Sequence, residues 1–297
     1  MGRRTILAVV LFAAAVTGCS DSSSADEDTV RVVATTTQTA DFARVIGGDR
    51  VTVYDIVKAG VDPHDFEPSP ADIDALAGAD VIVQNGVGLE HWLDDAIDSA
   101  GGDGTLVDTS EDVEVNGDDP HIWHDPDNAK LMCEAIAAVL EAADPDGADG
   151  YRENLADYSA ELDDLDAEIQ GQIDTLTNKK MVTNHDAFSY YIDHFGLEFV
   201  GSVIPSFDTS AELSGAEIDD LVAKIKAEGV TAVFSESSLP PKTAEAIASE
   251  AGVQIIGGED ALYGDSLGPK GSEGDTYLKM ERHNTSVIVS ALRGGGS

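Results

Sequence analysis

Residues 150–176, GYRENLADYSAELDDLDAEIQGQIDTL, decide how the rest of the chain must be arranged. Leu155, Tyr158, Leu162, Leu165, Ile169, Ile173 and Leu176 recur every three or four residues with no internal proline, the spacing of one apolar helical face. As a single helix the stretch spans roughly 40 Å at ~1.5 Å per residue, longer than a crossover between neighbouring strands needs. A rod of that length in mid-chain joins two bodies.

Working outward, short β-branched runs alternate with amphipathic segments on both sides. Before the rod the pattern predicts strands at 30–35, 51–57, 80–84 and 105–109, and helices at 39–46, 70–78, 89–100 and 127–142. Ser69 followed by Pro70 and Asp72 is a helix start signal. After the rod the alternation restarts, with strands at 180–183, 197–203, 231–235 and 253–257 and helices at 187–195, 214–228, 241–250 and 274–292. Repeated βα units argue for parallel sheets covered on both faces. The simplest assembly is α/β: two lobes, each with a four-stranded parallel sheet, joined by one long helix.

At 297 residues with 42% hydrophobic content, the chain can build two cores. Its formal charge of −40 excludes nucleic acid and anionic lipid surfaces as partners, suits a solvated extracellular face and attracts cations. Two cysteines make no disulfide framework. Cys133 lies on the apolar side of a helix and reads as a small buried hydrophobe. Cys19 ends a leader with Arg3, Arg4 and an apolar core of about a dozen residues, too short for a mature membrane span and typical of a secretory signal. Val16-Thr17-Gly18-Cys19 resembles a bacterial lipobox, which implies cleavage before Cys19 and lipidation of its thiol. The Ser/Asp-rich run after it reads as a solvated tether.

In open parallel sheets, ligands collect beyond the carboxyl ends of the strands. In the first lobe that edge carries His64, in Asp62-Pro63-His64, and His121 with His124, in Asp119-Pro120-His121-Ile122-Trp123-His124-Asp125-Pro126. Proline stiffens each Asp-Pro-His loop, which suits a metal ligand. His121 repeats the context of His64, so His124 is expected behind the site or on the surface. In the second lobe the same edge carries His185 and Asp265, the latter one carboxylate among many. Three neutral imidazoles and one carboxylate make a closed tetrahedral set for a borderline-soft divalent ion. His91, His194 and His283, each expected on a helix, read as surface or hydrogen-bonded residues.

Gly60-Val61-Asp62-Pro63-His64-Asp65-Phe66-Glu67-Pro68-Ser69-Pro70, Asn85-Gly86-Val87-Gly88-Leu89-Glu90-His91-Trp92-Leu93, the His121 stretch and Leu262-Tyr263-Gly264-Asp265-Ser266-Leu267-Gly268, in that order, resemble the zinc- and manganese-binding solute-binding proteins of ABC importers. The likeness runs from about Val30 to Leu292. It implies two Rossmann-like lobes bridged by one long helix, with the metal between them. It also implies metal ligands at His64, His121, His185 and Asp265, and no catalytic role. Manganese members commonly carry glutamate at the third ligand position; His185 favours zinc. The histidine-rich loop of many zinc members has no counterpart, since residues 111–119 are acidic but without histidine.

The resulting expectation is a lipid-anchored, monomeric receptor outside the cytoplasm that captures Zn2+ for an ABC permease and its ATPase, with Mn2+ as the alternative ion. Its organisation would be a signal peptide over 1–18, a lipidated tether over 19–29, lobes over 30–148 and 179–293, and a linking helix over 149–178. Because imidazole must be deprotonated to coordinate, binding should weaken as pH falls through about 6.5. A secreted zinc hydrolase is the enzyme alternative, with Glu236 as its conceivable base, although four protein ligands leave no position for water. A surface adhesin with an incidental metal is a third reading.

Overall fold

The computed structural model describes Gly2 and residues 29–294. Apart from Gly2, the leader lies outside the described residues, as do Cys19 and nearly all of the tether. Strands β1 (Val30–Ala34), β2 (Val51–Asp55), β3 (Val81–Gln84) and β4 (Thr105–Asp108) form a parallel sheet in the order β2-β1-β3-β4. Helices α1 (Thr37–Gly47), α2 (Pro70–Ala77), α3 (Leu93–Ala100) and α4 (Pro126–Ala143) flank it. Val32, Val81 and Val83 enter one core, while Val33 and Ile82 enter another on the opposite face. That period-two division of an almost wholly apolar run is what a parallel sheet covered on both sides requires.

The second sheet is also parallel. Its strands, β5 (Lys180–His185), β6 (Glu198–Ile204), β7 (Ala232–Phe234) and β8 (Gln254–Ile256), run in the order β6-β5-β7-β8. Between the sheets, α5 (Ala148–Ile173) is a single helix of 26 residues, with α6 (Ser189–Phe195), α7 (Gly215–Glu228), α8 (Lys242–Ala251) and α9 (Tyr277–Gly294) following it. It starts two residues before the expected 150, after a tight turn at Pro145–Gly147, and stops before Leu176. Tyr158, Leu162, Leu165, Ile169 and Ile173 are buried along it. Full burial of each aliphatic one contributes about 1.5–3 kcal/mol.

The helix packs on α1 and α4 of the first lobe and on α6 and α9 from the second half of the chain. One continuous core therefore runs through both lobes, including Phe42, Tyr158, Leu165, Tyr191, Phe234 and Tyr277. Only the outer faces have cores of their own. Among the described residues no helix is long and apolar enough to cross a membrane.

Helix ends follow local chemistry. Ser69 and Asp72 form a reciprocal capping box at α2 with Pro70 in the first turn, and Asp125 caps α4 ahead of Pro126. Several boundaries differ from expectation, and two of them bear on the site. Helix α3 begins at Leu93, not at 89: Gly86, Val87 and Gly88 all have positive φ, and the turn they open runs on through Trp92. Strand β5 continues two residues past 183, so His185 is its last residue.

Candidate metal centre

Each candidate sits where a strand or a stiff loop delivers it. His185 ends β5, His64 lies in the loop between β2 and α2, His121 precedes the turn Ile122–His124 that leads into α4, and Asp265 follows β8. The fold brings one ligand atom from each within 4.8 Å of the others, and all four residues are buried. His121 Nε2 lies 3.2 Å from the Nε2 of both His64 and His185. Asp265 Oδ1 faces the same three nitrogens at 3.2 Å (His121), 3.4 Å (His185) and 3.7 Å (His64). A tetrahedral ion with bonds of about 2.0–2.1 Å has ligands about 3.3–3.4 Å apart. The cluster already has that size.

The polar atoms have no other satisfactory use. Neither oxygen of Asp265 receives a well-directed hydrogen bond although both are buried, and a buried, unpaired carboxylate is costly unless a cation meets it. His121 Nδ1 lies 2.6 Å from Asp119 Oδ1, and His185 Nδ1 lies 2.9 Å from Glu236 Oε1. Each carboxylate accepts a hydrogen bond from Nδ1–H and leaves the Nε2 lone pair facing the centre.

A further layer holds those carboxylates. Ser189 donates to Asp119 Oδ2. Glu236, weighed above as a catalytic base, also accepts from the His185 amide at 3.0 Å, and its segment bridges to Leu262 just ahead of Asp265. The Gly86–Gly88 turn aims Glu90 inward, where it accepts from Thr35, Asn85 and Gly86. The Asn85 side chain in turn donates to the carbonyl of Pro120, next to His121.

Burial, the largest influence, disfavours charge on His121 and His185. Asp119 and Asp265 for the first, and Asp265 and Glu236 for the second, outweigh it and raise both pKa values. Burial likewise pushes Asp265 up, but the three imidazoles together hold it well below the usual carboxylate range.

The other histidines are used differently. His124 is fully buried, which excludes the surface position allowed for it; its Nδ1 lies 2.8 Å from Glu281 Oε1 and its ring stacks on Phe188. His194 on α6 lies between Asp125 and Asp166, and His283 on α9 donates to the Ala261 carbonyl. His91 is exposed in the turn before α3, not on the helix expected there. Cys133 is buried in the shared core, and burial raises its thiol pKa. A cavity of about 640 Å³ lined by Arg31, Asp80 and Asp144 lies at the amino-terminal edge of the first sheet, away from the histidines.

A closed pocket of three imidazoles and a carboxylate between two α/β lobes on a shared long helix defines a protein that captures a divalent metal ion. Its relatives are of that kind. Residues 32–291 match the family described as "Zinc-uptake complex component A periplasmic", and the chain belongs to that family. It is 34% identical to the manganese-binding lipoprotein MntA of Bacillus subtilis, over 98% of this chain and 100% of the relative. It is 32% identical to the iron ABC transporter substrate-binding lipoprotein MtsA of Streptococcus pyogenes, over 98% and 99%. The periplasmic zinc-binding protein TroA of Treponema pallidum superposes with a TM-score of 0.83 at 29% identity, over 89% of this chain and 99% of that one. The chain is the metal-binding receptor of an ABC importer and not an enzyme.

Proposed function

We propose that this receptor captures Zn2+ through the Nε2 atoms of His64, His121 and His185 and the carboxylate of Asp265, and hands it to an ABC permease driven by its ATPase. The observation that carries the reading is the set of 3.2–3.7 Å separations among those atoms, the size of a tetrahedral zinc shell. Three nitrogen donors favour zinc over manganese, which prefers oxygen. The reading extends to a monomer outside the cytoplasm, held to the membrane by lipid on Cys19, with 1–18 as leader, 19–29 as tether, 30–148 and 179–293 as lobes and 149–178 as the linking helix.

Manganese is the second reading, supported by the names of relatives and by Asp265 Oδ2, a further oxygen with no hydrogen-bond partner. Affinity does not decide between the ions, because zinc outcompetes manganese at almost any such site. The deciding experiment is growth and metal content of a deletion strain under zinc or manganese starvation. Zinc-specific rescue by the wild-type chain is expected; manganese-specific rescue overturns the zinc assignment. In parallel, zinc titration of His185→Ala should show a large loss of affinity, and unchanged affinity removes the second lobe from the site.

A further inference from the structure

His64 differs from the other two imidazoles. It is 8% exposed, against 0% for His121 and His185 and 1% for Asp265. Carboxylates brace the rings of His121 and His185 from behind, whereas His64 Nδ1 makes no hydrogen bond among the described residues. It rides on a loop with no regular structure between β2 and α2. Whatever keeps this loop against the opposite lobe keeps His64 on the ion.

Two hydrogen bonds span that gap. The Gly60 amide donates to Ser266 Oγ at 2.8 Å, and Thr209 Oγ1 donates to Asp62 Oδ2 at 2.6 Å. Asp62 uses its other oxygen within its own loop, accepting from the His64 amide at 2.9 Å. One carboxylate thus holds the ligand's backbone with Oδ1 and the facing lobe with Oδ2. The Thr209 side is shaped to reach it. Ser206 Oγ accepts from the Asp208 amide at 3.1 Å and Asp208 Oδ1 accepts from the Ser210 amide at 2.7 Å, a self-bonded turn with Thr209 at its tip. Behind that turn lies a cavity of about 540 Å³ bordered by Asn184, Ile204, Thr209, Leu213, Pro240 and Thr243. Thr209 and Ser210 border this space and are separated by it from the core residue Val203, so the turn can withdraw without opening close-packed interior.

We propose that Thr209 and Asp62 are positioning residues that form the catch over the ion: their hydrogen bond holds His64 in place and sets the rate of metal exchange. The proposal rests on His64 being a ligand, as in the function given above. Metal leaves when the Thr209–Asp62 bond breaks, the unbraced His64 swings out on its loop, and the ion is left on His121, His185 and Asp265 with one side open to water or to the permease.

The test is a stopped-flow chase of zinc-loaded full-length protein with excess chelator. Thr209→Val keeps the shape and removes the hydroxyl, and should release zinc about tenfold faster, the factor equivalent to about 1.4 kcal/mol; Thr209→Ser should release at the wild-type rate. Asp62→Ala should release at least as fast as Thr209→Val, and the double variant no faster than Asp62→Ala, because the two side chains act as one unit. Wild-type release from Thr209→Val, or failure of Thr209→Ser to restore the slow rate, overturns the catch while leaving the four-ligand site intact. A wild-type protein that binds no zinc in the preceding titration overturns the function itself, and the catch with it.

Discussion

Glu236 Oε1 lies 2.9 Å from His185 Nδ1 and 3.0 Å from the His185 amide nitrogen, so one buried oxygen fixes both the ring and the backbone of the residue that ends β5. Losing such a partner frees the ring to rotate and weakens it as a donor. Glu236→Ala is expected to lower zinc affinity about 10- to 100-fold, with Glu236→Gln losing less. Competition titration against a chelator of known affinity checks this, and equal affinities would mean that the ring is held by packing alone.

Gly264 is small because Glu236 occupies the space beside it. A Cβ there would lie 2.1 Å from Glu236 Oε2 and 3.0 Å from its Cδ. Glu236 cannot move aside without releasing His185, so Gly264→Ala should cost about 1–3 kcal/mol in stability and also weaken zinc binding. Urea unfolding followed by metal titration reads both effects; a change in stability without one in affinity would show that the strain is absorbed elsewhere.

His124 and Glu281 tie the loop ahead of α4 to α9 through a fully buried contact of 2.8 Å. Burial raises the Glu281 pKa, against the pull of the His124 ring. Removing one member strands the other in the core, so Glu281→Ala should destabilise the metal-free protein by about 3–5 kcal/mol. Replacing both with apolar residues should cost less than that single change. Chemical denaturation of Glu281→Ala and of the double variant is the measurement.

His194 supplies a pH signature distant from the metal. Hydrogen bonding to Asp125, with Asp166 on the other side and burial opposing, raises its pKa to about 9. The unfolded value is about 6.5, so the folded state holds the extra proton more tightly and the pair stabilises fully below about 6.5. That contribution fades as pH rises from there and is gone above the folded value near 9. The melting-temperature gap between wild type and His194→Ala, measured with chelator present, should be widest near pH 6 and shrink towards pH 9.5. A gap independent of pH would assign the effect to packing alone.

The limited motion between lobes can be checked in solution. Because α5 and one continuous core join them, zinc loading should leave the small-angle scattering profile almost unchanged. A large compaction on loading would show that the shared core yields.

The alternation of strands and helices, the long helix at mid-chain and the edge at which ligands gather were legible in the sequence. Apolar periodicity and proline-stiffened loops are local properties, decided by residues a few positions apart. The same locality explains the misses. The apolar pattern placed the start of α3 at 89, where the chain is still in the turn that runs through Trp92, and nothing near His124 announced that Glu281, 157 residues away, would meet it in the core. With 57 acidic residues in the chain, no single carboxylate stands out by composition. That Asp119 and Glu236 turn two rings toward a common point, and that Thr209 reaches Asp62 across 147 residues, was decided only by tertiary structure. Such hydrogen bonds depend on the register of two sheets and on how the shared core seats one against the other, and no short window of sequence contains either.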